Sequence, residues 1–276
     1  MHATVIGGRG FIGQVLVRHL RSLGWGVWVP ERSQPWPDAE RDLGHVFYCA
    51  GLTADYLQHP ERTVEAHVSL LARVLQSDNF TSLVYLSSTR LYDGLPAGTT
   101  ATETALLPVA PHIPRHIYDL TKLTGESLCH VFGQGKARVA RLSCVYDTTP
   151  QAQGFLPDVL RQVQAAARGE TITLTSSPHF SRDYIHVNDV VRALVDMAQG
   201  GQHVVYNLAS GVNLTNAALA TLIEQHSGRK VLFAHENTSA EPATVSMDRL
   251  AEEWGWRPRS VESVLTPWLA HLQRAS

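Results

Sequence analysis

Cysteine is scarce in this chain: three in 276 residues, at Cys49, Cys129 and Cys144. They sit in apolar segments without metal-like spacing. Neither a disulfide framework nor a thiolate metal site is expected; buried reduced thiols of a cytoplasmic protein are. An excess of one charge is also lacking. The 23 basic and 25 acidic side chains leave a formal charge of −2, and no dense Lys/Arg tract supplies a nucleic-acid face. No apolar run approaches the ~18 residues that a membrane helix needs. The opening MHATVIGGRGFIG passes from a short apolar run into glycines, so no secretory signal peptide is expected. The fourteen histidines include no His-Glu-x-x-His pattern, and no metal is expected. His112 and His116 stand four apart, but Pro114 between them works against a regular helix. Internal repeats and low-complexity tracts are absent as well.

Hydrophobic residues make up 44%, ample for a sizeable core. The first half alternates two textures. ATVIGG, WGVWVP, HVFYCAG, SLVYLSS and ARVARLSCVY are β-rich runs. FIGQVLVRHLRSLG, RTVEAHVSLLARVLQSDN and YDLTKLTGESLCHVFG have helical spacing. Strands alternating with long helices predict a doubly wound parallel sheet of the Rossmann type. The gap between WVP and HVFYC is too short for a further helix and strand, so the sheet is expected to be abbreviated around its third strand. After Tyr146 the regularity is lost. Helices are expected in LPDVLRQVQAAARG, NDVVRALVDMAQG, TNAALATLIEQHSG and SVESVLTPWLAHLQRA, with short strands at TITLT, VVYNLA and KVLFA. Residues 1–150 are expected to form the dinucleotide-binding domain, with 181–207 returning to it. Residues 151–180 and 208–276 would form a smaller C-terminal α/β substrate lobe.

Gly7, Gly10 and Gly13 lie between the first strand and the first helix. The first permits a tight turn, the second lets backbone approach a pyrophosphate, and the third lets helix pack on strand. The helix N-terminus then offers N–H groups to phosphate, from Phe11 and Ile12 onward. A structural glycine turn is the alternative. Glu31, at the end of the second strand, suits the ribose hydroxyls of NAD. Arg9 and Arg32 would instead attract the 2′-phosphate of NADP, unless both are solvated surface charges. NAD is slightly favoured.

In HIYDLTKLTGE, Tyr118 precedes Lys122 by four residues, so both share one helix face. A nearby ammonium favours the phenolate, and such a tyrosine exchanges a proton with a substrate hydroxyl while hydride moves at a nicotinamide. Two ordinary surface residues are the alternative. The strand SLVYLSS ends in Ser87 and Ser88 at the sheet edge where open α/β folds bind ligands. A hydroxyl there orients the reacting oxygen; a helix cap is the plainer role for a serine.

GGRGFIG at 7–13, YLSSTRLYDG, YDLTK, RLSCVY, SRDYIHVNDV, VYNLASG and MDRLAEEWGWRP occur in this order. Together they resemble the extended short-chain dehydrogenase/reductase family, within it the nucleotide-sugar epimerases and dehydratases. The resemblance covers nearly the whole chain. It implies Tyr118 as acid/base, Lys122 as its electrostatic partner and cofactor-ribose ligand, and Ser88 as the hydroxyl that positions substrate. It implies that Ala50 and Gly51 line the cofactor cleft. It also implies that Arg182 contacts a nucleotide-sugar diphosphate; a salt bridge to Asp183 or Asp189 is the alternative. Departures from the family pattern stand at His67 and Cys144, both in place of Asn, and at Asp93 in place of Gly. Thr89 and Arg90 replace the acidic pair of the dehydratases, which disfavours elimination and leaves both on the substrate side.

Three functions follow as expectations. One is an NAD(P)-dependent nucleotide-sugar epimerase. Another is an NAD(P)H-dependent reductase of a keto-sugar nucleotide or other small ketone. The third is a dinucleotide-binding sensor or scaffold without turnover, whose signature would be loss of the tyrosine or lysine. Homodimers are common in the group resembled; nothing in the residues bears on that.

Overall fold

The computed structural model describes residues 1–31, 41–149, 152–238 and 241–274. In chain order the elements begin with β1 (His2–Ile6), α1 (Phe11–Ser22), β2 (Gly26–Trp28) and β3 (His45–Tyr48). Next, α2 (Pro60–Val64) runs through a π-helical turn (Glu65–Ser69) into α3 (Leu70–Ser77). Then come β4 (Ser82–Ser88), a 3₁₀ turn (Thr89–Tyr92), β5 (Thr100–Ala101), α4 (His116–Phe132), β6 (Ala137–Leu142) and β7 (Cys144–Tyr146). The remainder is α5 (Phe155–Ala165), β8 (Thr171–Leu174), β9 (Ser181–His186), α6 (Val187–Gln199), β10 (Val205–Leu208), β11 (Asn213–Thr215), α7 (Asn216–Ser227), β12 (Lys230–Phe233), β13 (Thr244–Val245), α8 (Asp248–Trp254) and α9 (Val261–Arg274).

Six parallel strands form the main sheet, in the order β10-β6-β4-β3-β1-β2. Side chains alternate across it. Phe47, Val84 and Leu86 face α1 and α6, whereas Val46, Tyr48, Leu83 and Tyr85 face α3 and α4. That period-two pattern, buried on both faces, is the doubly wound arrangement. Among the described residues β2 is the edge strand; residues 32–40, most of the gap on which the expected abbreviation rests, lie outside the described residues. The chain returns to the sheet late: β10 pairs with β6, and α6 packs on α1.

ARVARLSCVY is not one strand. Ser143 interrupts it, and β7 leaves the main sheet for a small one ordered β11-β9-β7. This shift of sheet carries Cys144 alongside Tyr184 on β9. A second apolar core gathers Tyr146 of β7 with Leu156, Leu160, Leu174, Ile223, Leu265 and Leu269, from α5, α7, α9 and the β12–β8 pair.

The helical pattern of residues 60–77 contains an irregularity that periodicity did not announce. The π turn at Glu65–Ser69 adds a residue per turn, a distortion frequent at functional sites. His67 sits in it with no exposed surface.

Candidate active site

The glycine turn is built tightly. Gly7 has φ +81°, and a Cβ placed there would stand 2.6 Å from the Ala50 nitrogen. One on Gly13 would stand 2.3 Å from the Gly7 carbonyl oxygen. Only hydrogen fits at either position, so the turn lies flat between β1, α1 and the end of β3. Gly10 caps α1 and supplies no side chain to bond its first N–H groups; those donors and the helix dipole suit a phosphate. Phe11 and Ile12 anchor the same helix turn in the core. These residues fit a dinucleotide pyrophosphate. At the far end, Arg9 Nη2 donates to Glu31 Oε1 at 2.9 Å. The two residues expected to compete over the 2′ position therefore meet. Arg32 lies outside the described residues.

From this turn the site continues without a break. A Cβ on Gly51 would come 2.9 Å from His67 Nε2 and 3.4 Å from Lys122 Nζ. Lys122 is buried on α4 and donates to the Leu86 carbonyl of β4 at 2.9 Å. Its ammonium lies 5.8 Å from the Tyr118 ring centre. Tyr118 is 3% exposed, and the Ser88 hydroxyl acts on its phenol. Ser88 also accepts from the Arg90 backbone N–H at 3.2 Å, capping the 3₁₀ turn. That cap is the plainer of the two roles expected of it. Ser87 is committed elsewhere, donating to Glu126 Oε1 at 2.6 Å.

Burial pushes the Tyr118 phenol above its ordinary range; the Ser88 hydrogen bond and the Arg90 charge pull it down. The cation nearest this ring is thus Arg90, 4.6 Å from its centre, and not Lys122. Burial pulls Lys122 down to about 7, against the opposing charges of Glu126 and Cys49.

His67 ties three elements together. Nε2 accepts from the Leu52 N–H at 3.3 Å, and Nδ1 meets Thr121 Oγ1 at 2.9 Å. Thr121 in turn donates to the Tyr118 carbonyl at 2.9 Å. The Thr121 proton is therefore spent, and Nδ1 carries the imidazole hydrogen. The ring also stands edge-on to Tyr118, centroids 5.4 Å apart. Burial and the Lys122 charge hold His67 neutral, down to about 2. Unfolding lets it take a proton below its ordinary value of 6.5, which the folded state refuses. Stability is complete above that pH and falls on acidification, by at most about 1.4 kcal/mol per pH unit. Replacing His67 with Asn should flatten this acid slope, read as urea midpoints between pH 7.5 and 5.

Thr89 and Arg90, expected on the substrate side, occupy the 3₁₀ turn after β4. Arg182 stacks on Phe180, 4.6 Å from its ring centre, and acts on both Cys144 and Asp93. Neither aspartate of the alternative takes it: Asp183 accepts from the Ser210, Gly211 and Val212 N–H groups, and Asp189 pairs with Arg259. Tyr56 and Thr121 were missed from sequence. Tyr56 packs 5.3 Å from Tyr118 and lies in a stretch without periodicity. Thr121 reads as an ordinary helix residue. Among the described residues no group of three or more His, Cys, Asp or Glu could hold a metal, and no helix is long and apolar enough to cross a membrane.

A family model described as NAD dependent epimerase/dehydratase matches residues 3–209. An uncharacterized UDP-glucose epimerase of Bacillus subtilis is 24% identical over 216 residues, covering 74% of this chain and 64% of that one. A GDP-6-deoxy-D-mannose reductase of Pseudomonas aeruginosa is 26% identical and matches 96% of both chains. Among solved structures, a Thermotoga maritima UDP-glucose 4-epimerase with UDP-glucose superimposes with TM-score 0.77 at 22% identity, covering 100% of this chain and 99% of that one. The Pseudomonas aeruginosa protein RMD complexed with NADPH gives 0.73 at 24%, covering 100% and 99%. These structural likenesses show a shared fold.

Proposed function

The chain belongs to the NAD dependent epimerase/dehydratase family, and on that premise we propose that it inverts a secondary alcohol of a nucleotide sugar, with Tyr118 as acid/base. The observation that carries this is the run of neighbours Gly7, Ala50, Gly51, Lys122 and Tyr118, which joins a dinucleotide turn to a buried phenol on which Ser88 acts. A bound dinucleotide would supply hydride acceptance and return. The turn at 7–13, Ala50 and Gly51 would hold it, and Lys122 would reach its ribose. Ser88 orients the substrate oxygen toward Tyr118, and Tyr118 takes and returns its proton. Arg182 and Cys144 face the nucleotide diphosphate. Arg90 and Thr89, where an eliminating enzyme needs an acid, leave water expulsion without a proton donor.

Net reduction of a keto-sugar nucleotide is the second reading. It is favoured by the end-to-end match to the GDP-6-deoxy-D-mannose reductase. Both chemistries use the same residues; they differ in whether dinucleotide stays bound. Denaturing the purified protein and identifying any released dinucleotide separates them, followed by NMR of nucleotide sugars for inverted centres. Retained NAD with inversion supports the epimerase. An empty site that takes up NADPH supports the reductase.

We also assign residues 151–180 and 208–276 to the substrate lobe, on the separate apolar core around α5, α7 and α9; within that range Leu250 and Trp256 pack instead in the core of the main sheet. A cytoplasmic location fits the three free thiols. Glu31 would select NAD: replacing it with Gln removes a charge facing the 2′ position and releases Arg9. The NADPH-to-NADH binding ratio should then rise by roughly tenfold, measured by fluorescence titration.

A further inference from the structure

We propose that Arg90 reads a carboxylate: the nucleotide sugar accepted here carries one on its sugar, beside the carbon that Tyr118 serves. This rests on the function proposed above and names its substrate class. Arg90 lies two residues after Ser88, so its stem leaves the sheet edge beside the phenol. Its guanidinium carbon is 4.6 Å from the Tyr118 ring centre and 5.1 Å from that of Tyr56. Nη2 donates to Tyr56 Oη at 3.1 Å. Among the described residues no other hydrogen bond and no ion pair holds this guanidinium. A carboxylate partner was available nearby, yet the fold spends it elsewhere. Arg115 Nη1 lies 3.6 Å from both Asp93 and Asp119. Three arginines, 90, 115 and 182, act on Asp93 together with one further carboxylate, Asp119.

A guanidinium always keeps its charge and presents five N–H donors in a planar fork. Two aromatic faces fix that fork here, at little further cost in side-chain freedom. One donor is used at Tyr56. The remaining edge suits a planar two-oxygen anion bound through parallel hydrogen bonds. A sugar hydroxyl uses that edge poorly. Its place beside Tyr118 and Ser88 puts it at the reacting end of the substrate, away from the glycine turn.

The test is calorimetric binding to the full chain, saturated with NAD, of matched sugar nucleotides: UDP-glucuronate against UDP-glucose, and GDP-mannuronate against GDP-mannose. The better-bound acidic sugar should exceed its neutral partner by about tenfold or more. Arg90→Met, which keeps apolar length on both rings, should erase that preference while sparing the neutral sugar; Arg90→Lys should restore part of it. Neutral sugars binding as tightly as acidic ones to the unaltered protein would overturn the carboxylate assignment. So would an R90M variant that loses both sugars equally, since Arg90 would then serve the diphosphate. If no sugar nucleotide binds while NAD does, the nucleotide-sugar function itself fails and takes this assignment with it.

Discussion

Tyr118→Phe should lower turnover by about 10²- to 10⁴-fold, the usual contribution of a positioned acid/base, while dinucleotide binding stays intact. The substitution removes one oxygen and little else. The ring keeps its contacts with Tyr56, His67 and Arg90. Losing one phenolic hydroxyl costs at most about 1 kcal/mol of stability, too little to unfold the chain. The dinucleotide residues at 7–13 and 50–51 do not contact this oxygen. A large kinetic loss with unchanged binding therefore isolates proton transfer. Turnover within threefold of the parent would remove Tyr118 from the chemistry. Equal loss of binding and turnover would make it a structural residue.

The largest stability effect is expected two helix turns further along α4. Glu126→Ala should destabilise the protein by about 3–5 kcal/mol, because it strands a buried cation. Arg141 Nη2 and Glu126 Oε2 are 2.7 Å apart, with both side chains 5% exposed. Arg141 Nη1 also reaches Tyr92 Oη at 2.8 Å, and Tyr92 donates to Asn207 Oδ1 at 2.7 Å. Asn207 Nδ2 then donates to the Ala101 and Ser246 carbonyls. One polar chain thus crosses α4, β6, the turn after β4, and β10, and ends on the β5–β13 pair. Removing the Glu126 carboxylate leaves the Arg141 guanidinium without its charged partner. A double substitution, Glu126→Met with Arg141→Met, should recover most of the loss, since it deletes both charges together. Urea midpoints of the two variants make the comparison. A single-variant loss below about 1 kcal/mol would mean that water reaches Arg141 and that the pair acts as a surface bridge. Tyr118, Lys122 and Glu126 recur at intervals of four on one helix face, so this anchor also fixes the register of the proposed site.

Much of this was legible in the residues. The glycine turn, β4 ending at Ser88, and the shared face of Tyr118 and Lys122 are local patterns. Local patterns survive into structure because spacing alone sets which face a side chain takes. Other features depend on contacts between distant segments, which spacing does not encode. The change of sheet at Ser143 falls inside a run with uninterrupted β character. The π turn around His67 differs from an α-helix by a single residue per turn, and apolar periodicity over 60–77 absorbs it. Lys122 is the electrostatic partner of the phenol expected from the spacing. The helix does bring it close, but its ammonium turns to the Leu86 carbonyl, and Arg90 from another segment takes the ring. Only the fold brings residues 56, 90 and 118 together.

The central claim is that hydride moves at a carbinol carbon beside Tyr118, and turnover in deuterium oxide tests it most directly. Hydride transfer places no solvent deuterium on the inverted or reduced carbon, because its hydrogen never exchanges with water, and NMR of the product should show that carbon fully protonated. Solvent deuterium bound to that carbon would mean that the hydrogen had left as a proton, contradicting the account.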